Sequence, residues 1–106
     1  MFRYIAAGYT CLETNWHSRD GELDLVFRRE NRLIFVEVRA RRSGGLVSAL
    51  DSFSAQKYRR VRRCALLYQY RFGLAELHPM IQLATVTWRF GWPSVQTYSV
   101  DEEVEF

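Results

Sequence analysis

Two carboxylates in this sequence stand where an acid is expensive to keep. Asp24 lies in the alternating stretch Glu22-Leu23-Asp24-Leu25-Val26-Phe27-Arg28, and Glu37 interrupts the apolar run Leu33-Ile34-Phe35-Val36-Glu37-Val38. A charge inside an apolar strand is unfavourable unless it is paired or coordinated, which makes Glu37 the most informative residue in the chain. Arg39 follows on the same face of an extended strand, roughly 6–7 Å further along. Clustered carboxylate oxygens suit a hard cation such as Mg²⁺ or Mn²⁺, which keeps waters and binds through one or two carboxylates plus phosphate oxygens. A neighbouring cation would neutralise charge developing on a phosphoryl group. Asp24 and Glu37 are therefore candidate metal ligands and, with Arg39, candidate catalytic residues for phosphodiester hydrolysis. A structural ion pair between Glu37 and Arg39, or an arginine on a neighbouring strand, explains the same residues, and spacing leaves both readings open. Glu22 is either an outer group supporting the site or a solvated strand-edge carboxylate.

Positioning these groups requires a hairpin. In Glu22 to Arg28 the alternation puts Leu23, Leu25 and Phe27 on one face and Glu22, Asp24 and Val26 on the other. Arg29-Glu30-Asn31-Arg32 is a polar turn, and Leu33 to Arg41, apolar on both faces in its first half, reads as a central strand antiparallel to the first. Asp24 and Glu37 then converge at the open end of the hairpin.

Upstream, Phe2 to Ala7 reads as a short helix stopped by Gly8, Tyr9 to Trp16 as a short strand, and Ser18-Arg19-Asp20-Gly21 as a turn. Downstream, Arg41-Arg42-Ser43-Gly44-Gly45 opens a loop, and Ser54 is a credible N-cap for a helix over residues 55–72. Its apolar stripe is Tyr58, Val61, Ala65, Tyr68 and Phe72, and Gly73 ends it. Met80 to Phe90 is a strand, Gly91-Trp92-Pro93-Ser94 a turn, and Val95 to Val100 a last strand. The order predicts a single α/β (α+β) domain over residues 1–106, a mixed sheet with helices packed against it.

Between Arg28 and Arg63 eleven basic residues face three acids, a local net charge of +8 inside a chain of net charge +3. Arg41, Arg42, Lys57, Arg59, Arg60, Arg62 and Arg63 are candidate nucleic-acid contacts, because Lys and Arg gain affinity by releasing counterions from phosphates. A merely solvated basic face is the alternative. Lys57 is the single lysine beside fourteen arginines, so it is also a candidate to orient water near the metal. A polyanion, DNA above all, is the expected partner, with a homodimer as an option.

A hydrophobic fraction of 48% is that of a folded domain, not a disordered chain. The N-terminal stretch, broken by Gly8, Glu13 and Asn15, has no continuous apolar run for a signal peptide or a membrane span, so a cytoplasmic protein without membrane contact is expected. Cys11 and Cys64 form no CxxC pair, and His17 and His78 have no second His or Cys at ligand spacing. Trp88 is expected in the core and Trp92 against its turn, with stacking on bases as the other use of these rings.

Glu37-Val38-Arg39, with Asp24 on the adjoining strand, resembles the core of PD-(D/E)xK nucleases. Gly21-Glu22-Leu23-Asp24-Leu25 and Phe35-Val36-Glu37-Val38-Arg39-Ala40-Arg41 resemble the YraN-type family of uncharacterised bacterial proteins. So do Gly8-Tyr9 through Asn15-Trp16, the basic Gln56-Lys57-Tyr58-Arg59-Arg60, and Met80 to Val86 with Phe106. The resemblance implies a restriction-endonuclease-like fold, with Asp24 and Glu37 as metal ligands in a metal-dependent endonuclease. The alternative is a catalytically silent nucleic-acid-binding domain that keeps the fold and the basic helix, and a third reading is a protein-interaction module whose acidic tail, Asp101 to Glu105, folds over its own basic face or a partner's. Two departures stand out. The motif usually has Lys where this chain has Arg39, and a guanidinium orients and neutralises but does not act as a base. The family's N-terminal helix supplies a further acid, whereas residues 1–8 contain none.

Overall fold

A computed structural model describes residues 2–41 and 53–100. The elements run α1 (Phe2–Ala6), β1 (Thr10–Ser18), β2 (Gly21–Arg29), β3 (Arg32–Arg41), α2 (Ala55–Arg71), β4 (His78–Arg89) and β5 (Trp92–Ser99). They form one five-stranded mixed sheet in the order β1-β2-β3-β4-β5. All neighbours are antiparallel except β3 and β4. A parallel pair cannot be joined by a tight turn, and α2 lies in the connection that brings the chain back. The mixed α+β architecture matches the reading of the sequence.

Helix α2 begins as its sequence dictates. Ser54, at φ −66° and ψ 162°, accepts a hydrogen bond from the Lys57 backbone N–H at 3.2 Å, satisfying one of the unpaired donors of the first turn. Tyr58, Val61, Cys64, Ala65 and Tyr68 of α2 pack on Leu23, Val26, Leu33, Phe35, Ile81 and Leu83 of the sheet. The stripe stops one turn early, because Phe72 caps the helix and remains half exposed. The sheet's other face holds Phe27, Ile34, Val36 and Ala84, covered by Tyr4 of α1. The Tyr4 ring stacks on Phe27 at 4.5 Å, and its hydroxyl donates to Gln82 Oε1 at 2.6 Å.

Three expectations need correction. Leu23 and Val26 face α2, while Leu25 and Phe27 face α1, so β2 changes face at Asp24 instead of alternating strictly. The cause lies in its neighbours. The β2–β3 ladder begins only at Leu25↔Val36, and on the other side β1 carries a register shift between Cys11 and Glu13 and a left-handed residue, Asn15, at φ 51°. The last turn also lies earlier than its Pro and Ser suggest. Phe90 and Gly91, at φ 51° and 80°, are its two central residues, and Trp92 and Pro93 already pair with Arg89 and Trp88. Trp88 is exposed, not in the core. Trp88 lies next to the β4–β5 turn, paired with Pro93.

Candidate functional site

The face change of β2 builds the site. Where the ladder opens, each carboxylate reaches across to the other strand's backbone. The Asp24 backbone N–H donates to Glu37 Oε1 at 3.4 Å, and the Val38 backbone N–H donates to Asp24 Oδ2 at 2.9 Å. These bonds replace ladder hydrogen bonds and fix both carboxyl groups at the splay point. Phe35, Glu37 and Arg39 alternate onto the α2 face of β3, so Glu37 sits at the edge of the main core, 5% exposed.

Burial pushes the Glu37 carboxyl up to about 7, and the charge of Asp24 adds to the rise. The hydrogen bond from the Asp24 backbone and the charge of Arg39 oppose it without offsetting it. Arg39 Nη2 approaches Glu37 Oε2 at 3.9 Å, while its Nη1 donates to the Val38 carbonyl at 3.1 Å. This is a loose, one-sided ion pair that does not cancel the upward shift from burial.

Gly21, Glu22, Asp24, Glu37, Arg39, Lys57, Arg60 and Val61 line one cavity of about 240 Å³. The acids of the hairpin and two cations from the first turns of α2 therefore face one space, including Lys57, 33 residues from Asp24 in the sequence. Glu22 lies at the rim, with His17 Nδ1 at 3.9 Å from its Oε2. The basic surface of α2 is divided. Arg62 lines a separate apolar cavity with Tyr58, Ala65, Leu66, His78, Pro79 and Ile81, while Arg59 and Arg63 are exposed. Arg42 and the Arg41 side chain lie outside the described residues, as does the acidic segment 101–106.

Gly21, which the sequence places in a turn and at the start of the family-like segment Gly21 to Leu25, also shapes the cavity. At φ 144°, a Cβ there would meet Arg60 Cδ at 3.3 Å and Cys64 Sγ at 3.5 Å. The missing side chain lets α2 approach the start of β2 and brings Arg60 over the cavity. A glycine directly after a turn and before a strand is the only sequence signal of this, and it is shared with ordinary turn glycines.

Among the described residues no group of three or more His, Cys, Asp or Glu converges as a metal cage. The donor set is two carboxylates facing a water-accessible space. That set fits a cation that takes one or two carboxylates and completes its shell with water and phosphate oxygens, and does not fit a closed site of soft ligands.

The sequence model of one family matches residues 3–90, a span that contains the whole carboxylate hairpin and α2. The chain belongs to the uncharacterised protein family UPF0102. Similar relatives include a UPF0102 protein of Marinobacter nauticus, 38% identical over 86 residues, which are 80% of this chain and 70% of the relative. One of Colwellia psychrerythraea is 39% identical over 69 residues, 65% of this chain and 54% of the relative. One of Syntrophomonas wolfei is 41% identical over 61 residues, 58% of this chain and 53% of the relative. The chain thus spans from about half to 70% of the length of these relatives. None of the three names carries an activity. Among the described residues of this UPF0102 chain, no helix is long and apolar enough to cross a membrane.

Proposed function

We propose that this UPF0102 chain is a metal-dependent endonuclease of the PD-(D/E)xK kind, hydrolysing phosphodiester bonds in DNA. The observation that carries the reading is the buried Glu37 carboxylate, held against Asp24 at the splay of β2 and β3 and opening onto a cavity with Arg39, Lys57 and Arg60. A structural acid would be expected to have a close, multiply bonded cation, whereas Arg39 meets Glu37 in a single contact at 3.9 Å.

Asp24 and Glu37 would hold Mg²⁺ or Mn²⁺, with Glu22 supporting from the rim. When bound, such an ion polarises a phosphoryl oxygen and lowers the pKa of coordinated water. Arg39 is suited to hold the scissile phosphate, since a planar guanidinium makes paired contacts to phosphate oxygens. Lys57, a compact donor on the facing helix, is suited to orient the attacking water. Arg59, Arg60, Arg62 and Arg63 add sequence-independent attraction to the backbone.

The alternative reading, a silent DNA-binding domain, is favoured by one observation: the absence of a third acidic ligand among the described residues. Incubation of wild type and Glu37→Ala with duplex, branched and single-stranded DNA in Mg²⁺ or Mn²⁺ tests the proposal. Cleavage by wild type that the variant loses supports it. Salt-sensitive binding without cleavage of any substrate supports the silent domain instead.

A further inference from the structure

At the end of the sheet beyond Arg39, β4 and β5 run on to their connecting turn as a hairpin whose large side chains, among the described residues, are left exposed. Trp88 is 60%, Phe90 100% and Trp92 76% exposed. Exposed aromatics of this size are unfavourable in water and point to a use in binding. The positive φ of Phe90 and Gly91 makes a two-residue turn whose twist matches the strands, so the tip is narrow and well defined. Arg89 pairs with Trp92 and Trp88 with Pro93. Cross-strand partners share a face, so the two indoles leave opposite faces, with the Phe90 ring at the apex.

We propose that this tip is a wedge that stacks on unpaired bases where duplex DNA opens into single strands, which gives the cleft described above a preference for forked or branched substrates. The inference rests on the nucleic-acid reading of that cleft. Three aromatics splayed over two faces and an apex do not make the flat, continuous patch that a second protein would cover. They match a space with base faces on both sides, where apolar side chains unstack a step and aromatic rings replace the lost stacking. Residues 78–99, the whole of β4, the turn and β5, contain no Asp or Glu and include Arg89, so nothing in this hairpin repels a phosphate backbone.

The placement is consistent with one substrate reaching both features. Glu37 pairs with Leu83, and Trp88 lies five residues further along β4. That is roughly 17 Å at the rise of a strand, or about five stacked base steps of DNA. A strand with its phosphate at the carboxylates would bring its unpaired end to the tip.

The test measures binding of the full chain to a fork, a single strand and a duplex of matched sequence, without divalent metal, by fluorescence anisotropy and by tryptophan emission. Wild type is expected to bind the fork at least about fivefold more tightly than the duplex, with emission quenched by the fork and the single strand and not by the duplex. Trp88→Ala, Phe90→Ala and Trp92→Ala should each weaken fork binding about fivefold and leave duplex binding within about twofold, and Trp92→Phe should retain it. If the triple alanine variant binds the fork as wild type does, the wedge is overturned while the basic-surface reading stands. If wild type binds none of the three DNAs, the nucleic-acid reading falls and the wedge with it. If sedimentation shows a dimer that the triple variant loses, with fork binding unchanged, the tip joins two copies and the proposal is wrong.

Discussion

Glu37 would carry two opposed demands in the proposed role: its place in the core favours a neutral carboxyl, and metal ligation would need an ionised one. In the metal-free protein its pKa is raised to about 7 from the ordinary 4.5. The folded state therefore binds the proton more tightly than the unfolded chain. The stability this gives is fully present below about pH 4.5 and is lost as pH rises through about 7, a difference of about 3 kcal/mol. Glu37→Gln, neutral at every pH, should match wild type near pH 5 and exceed it at pH 8, as read by urea denaturation in a chelator. A structural ion pair makes the opposite prediction, since removing one buried partner costs roughly 3–5 kcal/mol. Mg²⁺ should raise the unfolding temperature of wild type at pH 8 and leave that of Glu37→Gln unchanged, because only the carboxylate can hold the ion. By the same logic Asp24→Ala and Glu37→Ala should each abolish the calorimetric signal of Mg²⁺ or Mn²⁺ while circular dichroism shows the fold intact. If Glu37→Ala still binds the ion tightly, the ligand assignment is wrong. Cleavage should fall at least about tenfold in Arg39→Ala, about 1.4 kcal/mol of transition-state stabilisation, and be partly retained in Arg39→Lys. Lys57→Arg cleaving as fast as wild type would rule out a water-orienting ammonium.

At the scale of elements, the site depends on how closely α2 approaches the start of β2. Gly21→Ala places a Cβ against Arg60 and Cys64 in a backbone conformation that side chains rarely adopt. It should lower stability by about 1–2 kcal/mol, seen as a fall in denaturation midpoint, and weaken metal binding only through displacement of α2. The sequence makes the elements of this site readable where local chemistry decides them. Ser54 caps α2, the Tyr58–Tyr68 stripe faces the sheet, and the hairpin around Glu30 brings Asp24 opposite Glu37, all from residue type and spacing. It does not reveal what neighbours impose. The face change at Asp24 follows from Asn15 on β1 and from the opening of the β2–β3 ladder, neither of which is encoded in residues 22–28. Trp88 has the alternation of a core residue, yet it stands exposed beside the β4–β5 turn, paired with Pro93, and where that turn falls is set by Phe90 and Gly91 and not by the Pro and Ser that follow. Lys57 and Arg60 enter the cavity and Arg62 does not, because the helix turns 100° per residue against a sheet whose position the sequence does not state.

At the scale of the molecule, charge among the described residues is separated by position. Asp24 and Glu37 lie in a cleft that Lys57 and Arg60 of α2 also line, while Arg59 and Arg63 are exposed and Arg62 borders a separate cavity. A polyanion approaching this face meets positive charge first and the carboxylates last, an order that allows like-charged groups to meet only where a divalent cation can lie between them. Binding of DNA should therefore be strongly salt-dependent, and the cations should separate into two classes. Changing Arg59, Arg62 and Arg63 together to Gln should lower duplex affinity and reduce the slope of log affinity against log salt by about 3, since each phosphate contact contributes about 0.9, with Mg²⁺ affinity unaltered. Arg60→Gln alone should reduce the slope by about 1 and also tighten Mg²⁺ binding, because it removes a positive charge from the cavity proposed to hold the ion. Titrations of both variants across a salt series, with calorimetry of the ion in parallel, separate the two effects. Equal salt slopes in wild type and the triple variant would make the outer arginines a solvated surface and leave DNA capture to the cleft alone.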